Sequence, residues 1–338
     1  MPTQSFHPFT PTGLRLAVCD AGRARRAFSL VEILVVVALL SVIILGLVAM
    51  FHQTQKALLS TTTQVDILEA GRAGADLMAR DFEQMTPSRM RNTTNFYTGF
   101  APAFLLKQVL ADGSEVRSNR LEEVFFLSRN NLQWTGIAYF VDTLTPPLNR
   151  GDALVDTVAK FGIGSLYRYE TNATGPFSPS TAFHASPAGL LGDYLGIRGL
   201  DKNVLINPPP SLAWPVPPSD PIRVRKILDG VVHFRVQAFD TQGRLLRSVG
   251  VPLPQNTDIY TEPVSGDSFY TTYSNAVPAY VELEIGVLES RTLQRFKTLI
   301  DNTTAATNFL PAHAAQVHLV RQRISIRNVD PSAYPAFP

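Results

Sequence analysis

From Ile33 to Phe51 the chain reads Ile-Leu-Val-Val-Val-Ala-Leu-Leu-Ser-Val-Ile-Ile-Leu-Gly-Leu-Val-Ala-Met-Phe, an apolar run broken only by Ser41 and Gly46. At about 1.5 Å per residue a helix of this length spans roughly 28 Å, close to the ~30 Å hydrocarbon core of a bilayer. A helix buried in a soluble domain would normally keep a polar stripe. This one has none, so the run reads as a transmembrane helix. Arg23, Arg25 and Arg26 precede it and no comparable cluster follows closely. The excess of positive charge on that side puts the N-terminus in the cytoplasm and everything after Phe51 outside. No later stretch is long and apolar enough to span again. A cleaved secretory signal would have an apolar region of about 7–15 residues followed by a small-residue site. Here the run is longer, and His52-Gln53-Thr54-Gln55-Lys56 offers no such site.

The rest of the composition narrows the class. The 338 residues suffice for an anchor plus one domain of ordinary to large size, or two small domains. Residues 1–27 hold four of the 30 Lys+Arg and one of the 28 Asp+Glu, which leaves 26 basic against 27 acidic residues. A remainder this close to neutral has no extended electrostatic footprint for nucleic acid. Cys19 is the only cysteine, so internal disulfides and multi-cysteine metal sites are excluded.

Glu32 stands one residue before the apolar run, inside the lipid-facing segment if the helix begins at Phe28. An ionised group in hydrocarbon costs about 3 kcal/mol at mid-depth and less near an edge. Glu32 either snorkels to the headgroups or needs a cationic partner. A free α-amine at Phe28 would be one, a turn away in the same helix or supplied by the neighbouring subunit of a bundle. Such a pair would neutralise both charges in a low dielectric and fix the axial register between subunits.

The segment Arg26-Ala27-Phe28-Ser29-Leu30-Val31-Glu32, followed by an apolar helix, resembles the class III leader of type IV pilins and type II secretion pseudopilins. The resemblance implies that a membrane aspartyl prepilin peptidase cuts between Ala27 and Phe28 on the cytoplasmic side and N-methylates Phe28. It makes Glu32 the fifth mature residue, used in subunit assembly, and residues 1–27 a leader whose charge comes from Arg23, Arg25 and Arg26. Ala27 stands where the family usually has Gly.

Beyond the membrane run, Ile67, Leu68, Gly71, Ala75, Met78, Phe82 and Met85 recur at steps of three and four, giving one apolar face. Glu69, Arg72, Asp76, Arg80 and Glu83 line the other face with alternating signs. Thr86-Pro87 is the expected stop. One helix from Phe28 to about Met85 would exceed 80 Å by the same rise. The expected organisation is a leader (1–27), a transmembrane and assembly helix (28–51), the extracytoplasmic half of the helix (52–86) and a β-rich globular domain (87–338).

After Pro87 the period changes to two. Expected strands are Phe104–Leu110, Leu121–Leu127, Gly136–Val141, Ser165–Tyr169, Gly230–Phe239, Tyr280–Leu288 and Val317–Arg327. Val232, Phe234, Val236 and Ala238 should face one way, against His233, Arg235 and Gln237. Val281, Leu283, Ile285 and Val287 should oppose Glu282 and Glu284. This alternation marks half-buried antiparallel strands. The fold class expected is therefore α+β, a pilin-like long helix against an antiparallel sheet with long loop insertions. Ala70-Gly71-Arg72-Ala73, Asp76–Phe82 and the strand order resemble J-type minor pseudopilins and W-type minor pilins. Two insertions lengthen the chain. Residues 171–221 contain Pro208-Pro209-Pro210, Pro215, Pro217, Pro218 and Pro221 and read as loop or polyproline segment. Residues 251–277 are rich in Tyr, Thr, Ser and Pro.

Motifs for catalysis are sparse. The histidines are scattered without a metal-binding spacing, and no nucleophile elbow or phosphate loop occurs. His233 on its alternating strand reads as a surface residue, and Glu122-Glu123 and Glu282/Glu284 as strand-face acids. The Arg223/Arg225/Lys226 cluster reads as a solvated face. The expectation is a non-enzymatic minor pseudopilin or minor pilin with no cofactor or metal, single-pass in the inner membrane, its C-terminal domain periplasmic, and later part of a filament. Its partners would be the prepilin peptidase, other minor and major (pseudo)pilins, the inner-membrane assembly platform and membrane lipid, with no nucleic acid. In a second reading the insertions at 171–221 and 251–277 recognise a surface, a secreted substrate or DNA, the last disfavoured by the near-neutral charge.

Overall fold

The computed structural model describes residues 29–91, 93–100, 107–109, 116–142, 161–174, 186–198, 224–246, 257–261, 268–301 and 303–334. The chain divides into two compact units, Met1–Leu58 and Leu59–Pro338. Helix α1 (Leu30–Glu83) contributes to both. In the first unit its apolar side chains are exposed throughout, from Leu30 at 79% to Phe51 at 61%. In the second unit the face marked by the sequence is buried: Ile67, Gly71, Ala75, Met78, Phe82 and Met85, with Glu69, Arg72, Asp76 and Arg80 exposed opposite. The small residues permit close approach to the sheet. A Cβ at Gly71 would lie 3.0 Å from Val320 Cγ2. Phe82 stacks on Phe126 with ring centroids 4.5 Å apart, and burying each ring contributes on the order of 2–3 kcal/mol.

The second unit carries strands β1 (Thr94–Phe100), β2 (Lys107–Val109), β3 (Val116–Ser118), β4 (Glu122–Asn130), β5 (Gln133–Asp142), β6 (Gly164–Thr174), β7 (Val224–Phe239), β8 (Thr257–Thr261), β9 (Ser268–Tyr273), β10 (Tyr280–Leu288) and β11 (Val317–Ser325). Helix α2 (Leu190–Arg198) follows β6, and α3 (Ser290–Leu299), α4 (Thr303–Thr307) and α5 (Phe309–Ala312) separate β10 from β11. Nine strands form one sheet in the order β11-β10-β7-β6-β5-β4-β1-β9-β8, every neighbour antiparallel. β2 and β3 pair separately. The α+β architecture with a long N-terminal helix on an antiparallel sheet is the one the sequence implies.

Both faces of this sheet are covered. One face packs on α1 through Phe96, Phe126, Ile137, Tyr139, Phe234 and Ile285. The alternate residues Tyr97, Phe125, Ala138 and Phe140 pack on the opposite face against Leu190, Leu191, Tyr194 and Leu195 of α2. Further along, Phe161, Val232 and Leu288 meet Leu293, Phe296 and Phe309 of α3 and α5.

Several expectations are corrected here. The 171–221 insertion is not all loop: Thr171–Thr174 extend β6, and Leu190–Arg198 form a helix whose apolar side chains are core. The 251–277 insertion supplies β8 and β9, which add two strands to the sheet beyond β1. Of Phe104–Leu110, only Lys107–Val109 is described, as β2, and it lies outside the main sheet. Strand β1 was not anticipated, because Phe96 and Tyr97 are both fully buried and no polar alternation remains. Val232 does not side with Phe234, Val236 and Ala238. The β7–β10 register shifts between Gly286 and Val287, so that Val231 rather than Val232 joins the α1-side core. A bulge of this kind turns the following side chain to the other face.

Candidate functional site

The first turn of α1 is built by Ser29. The Glu32 N–H donates to Ser29 Oγ at 3.2 Å and to the Ser29 carbonyl at 3.0 Å, and the Ile33 N–H reaches the same carbonyl at 3.2 Å. Ser29 thus caps the helix with Glu32 three residues on, the Ser-x-x-Glu spacing of a capping box. The carboxylate of Glu32 sits in the first turn, where the unpaired N–H groups favour negative charge. It is exposed, and the next basic residues in the chain are His52 and Lys56. Polar groups deeper in the run are satisfied within the helix: Ser41 Oγ donates to the Val37 carbonyl at 2.8 Å and Thr54 Oγ1 to the Met50 carbonyl at 2.9 Å. Among the described residues this is the one helix long and apolar enough to cross a membrane. Arg23, Arg25, Arg26, Ala27 and Phe28 lie outside the described residues.

Of the acids expected on strand faces, Glu282 is partly exposed, but Glu122, Glu123 and Glu284 are buried. Glu122 is 1% exposed, and its Oε2 accepts the Val236 N–H at 2.7 Å. Glu123 accepts the hydroxyls of Tyr97 at 2.8 Å and Tyr194 at 2.9 Å, which ties the insertion helix α2 to the sheet. Glu284 is 2% exposed and lies 3.2 Å from His233 Nε2. The hydrogen bond with His233, aided by Arg321 and Arg235, outweighs burial and holds the Glu284 carboxyl at about 2. His233 is itself buried, correcting its surface assignment, and its Nδ1 accepts the Arg120 N–H at 3.0 Å. Arg225 and Lys226 are exposed, as expected of a solvated face.

One buried acid was missed. Asp81 faces the sheet from α1 and accepts the Tyr139 hydroxyl at 2.6 Å and Arg168 Nε at 2.7 Å. Burial and the Asp81 charge push the Tyr139 hydroxyl up beyond its ordinary range. Burial disfavours the Arg168 cation, but bonds to Asp81 and Glu170 outweigh it. In the sequence Asp81 belongs to neither the apolar face nor the charged one. Only its position, one residue before Phe82 in a buried face, hinted at a role. These pairs connect elements to one another. Among the described residues no group of three His, Cys, Asp or Glu side chains is placed to hold a metal.

Residues 22–48 match the family model of the prokaryotic N-terminal methylation motif, the signature of type IV pilin and pseudopilin precursors. The matched span contains Arg23, Arg25, Arg26, Ala27, Phe28 and Glu32. No curated protein and no solved structure matches the chain. The motif implies processing by a prepilin peptidase and assembly with other pilins, and with the apolar helix it fits a single-pass inner-membrane subunit.

Proposed function

We propose that the chain is the precursor of a minor pseudopilin or minor pilin, a structural subunit without catalytic activity. The peptidase cuts between Ala27 and Phe28, removes the basic leader and methylates the new amine. The mature helix then enters a bundle in which Glu32 meets the Phe28 amine of a neighbour. The observation that carries this reading is Glu32 itself, an acid at the head of an exposed apolar segment with no basic residue between it and His52. Charge neutralisation across subunits would set the stagger of adjacent helices. The globular unit, with a long helix on an antiparallel sheet, suits display outside the membrane at the tip or start of a filament.

The test is Glu32→Gln in the native host, with processing and membrane insertion followed in parallel. Normal processing with at least a tenfold loss of incorporation into filaments is the expected result. Undiminished incorporation would remove the assembly role of Glu32. A recognition role for the insertions is a second reading. Its support is that α2 and the β8–β9 pair are anchored on the sheet, which gives the segments around them a rigid base.

A further inference from the structure

The sheet ends in two strands, β11 on one side and β8 on the other. β11 pairs with β10 over nine consecutive positions without a bulge, and contains neither proline nor glycine. Among the described residues no strand pairs with its outer edge. Elsewhere the chain closes such edges. β6 pairs with β7 only as far as Val231, and beyond it the N–H groups of Phe234 and Val236 are capped by the Arg120 carbonyl and the Glu122 carboxylate, each at 2.7 Å. Among the described residues β11 receives no comparable cap.

Charged side chains often blunt an open edge by standing across it. The arginines of β11 do not. Arg321 is paired with buried Glu284, and the guanidinium of Arg323 lies over the Tyr280 ring, 3.5 Å from its centroid. Both are drawn back over the sheet, on the face opposite α1. Among the described residues the edge stays open, flanked by positive charge on the face opposite α1.

Two modes of pairing between copies are possible. In a two-fold β11–β11 pair centred on Gln322, Arg321 of each copy would stand opposite Arg323 of the other, and like charges directly opposite are destabilising. The alternative joins β11 to β8, the strand at the other end of the sheet, whose outer edge no strand pairs among the described residues. The register carries position 258 across Thr271 and Tyr97 to the face opposite α1, and position 259 across Tyr270 to the α1 side. By register, position 258 therefore falls on the face of positions 321 and 323, and position 259 on that of position 320. Counting alternating directions along the order, β8 and β11 run the same way, so their pairing is parallel and keeps both copies in one orientation.

We propose that β11 accepts β8 of a second copy of this chain by parallel strand addition, with Asp258 set against Arg321 and Arg323. This rests on the assembly reading only in requiring neighbours inserted the same way.

The test uses full-length protein in native membranes with Cys19→Ser, as two differently tagged copies, one carrying Ser325→Cys and the other Asp258→Cys or Tyr260→Cys. Oxidation is expected to give a disulfide dimer containing both tags. In the same pair Arg323→Glu should lower the yield about two- to fivefold, the range set by a cross-strand charge pair, and Asp258→Arg in the β8 copy (with Tyr260→Cys) should restore it. A Ser325→Cys dimer of one tag alone, or no dimer with both variants folded and processed, would overturn the proposal. Absent cross-linking alongside Glu32-dependent incorporation would remove the edge contact and leave the assembly role standing.

Discussion

Asp81→Ala is the substitution whose cost follows most directly from the geometry. Asp81 is 8% exposed and holds two groups of the sheet, the fully buried Tyr139 hydroxyl and Arg168 Nε. Truncation leaves that hydroxyl without its acceptor, a loss of about 1–3 kcal/mol. Arg168 retains Glu170 at 2.5 Å and is partly open to water, so the loss on its side falls below the ~3–5 kcal/mol of a fully buried broken pair. Together these give about 2–4 kcal/mol, or a fall in Tm of roughly 5–15 °C for a domain of this size. Asp81→Asn keeps one acceptor and should cost about half as much. Urea or thermal unfolding of the detergent-solubilised protein, followed by far-ultraviolet circular dichroism, measures both. If Asp81→Ala loses under about 1 kcal/mol, the helix is not held to the sheet through this acid.

Three further outcomes follow from the core. The Glu284 carboxyl lies at about 2, below the ordinary 4.5, so its contribution is complete above pH 4.5 and is lost as pH falls from 4.5 towards 2. Up to about 3 kcal/mol of acid-dependent stability should vanish over that window, and in Glu284→Gln the slope of stability against pH there should flatten. A Cβ at Gly136 would lie 2.8 Å from the Phe125 ring and 3.2 Å from Leu190 Cβ, so Gly136→Ala should cost about 1–3 kcal/mol and raise protease cleavage near α2; unchanged cleavage would count against tight docking of that helix. Tyr194→Phe removes one of the hydroxyls on Glu123 while keeping the ring stack on Phe125, so a loss of about 1 kcal/mol in urea unfolding is expected, and none would show that the bond is idle.

How much of this was legible depends on the number of covered faces. The Ile67–Met85 face of α1 could be read because one side is wet and one dry, which leaves a clean period. The Tyr280–Leu288 strand could be read from the alternation of Val281, Leu283, Ile285 and Val287 with Glu282 and Glu284, although only Glu282 of the two acids is partly exposed. Thr94–Phe100 could not, since Phe96 serves the α1 core and Tyr97 the α2 core. A strand buried on both sides loses its alternation. The same covering explains His233 and Glu284, whose polar alternation looked like a solvated face. That face is instead closed by partners distant in sequence, Arg120 for His233 and Arg321 for Glu284. Helix α2 was hidden by the prolines around it. Glu32, by contrast, was conspicuous, because an acid beside nineteen largely apolar residues has few explanations.

The most direct measurement of the central claim is the intact mass and N-terminal sequence of the protein isolated from native membranes. The account predicts a chain that begins at Phe28, 27 residues shorter than its precursor, with one methyl group on the amine. A chain that still begins at Met1, or one that begins beyond Phe51, would contradict it.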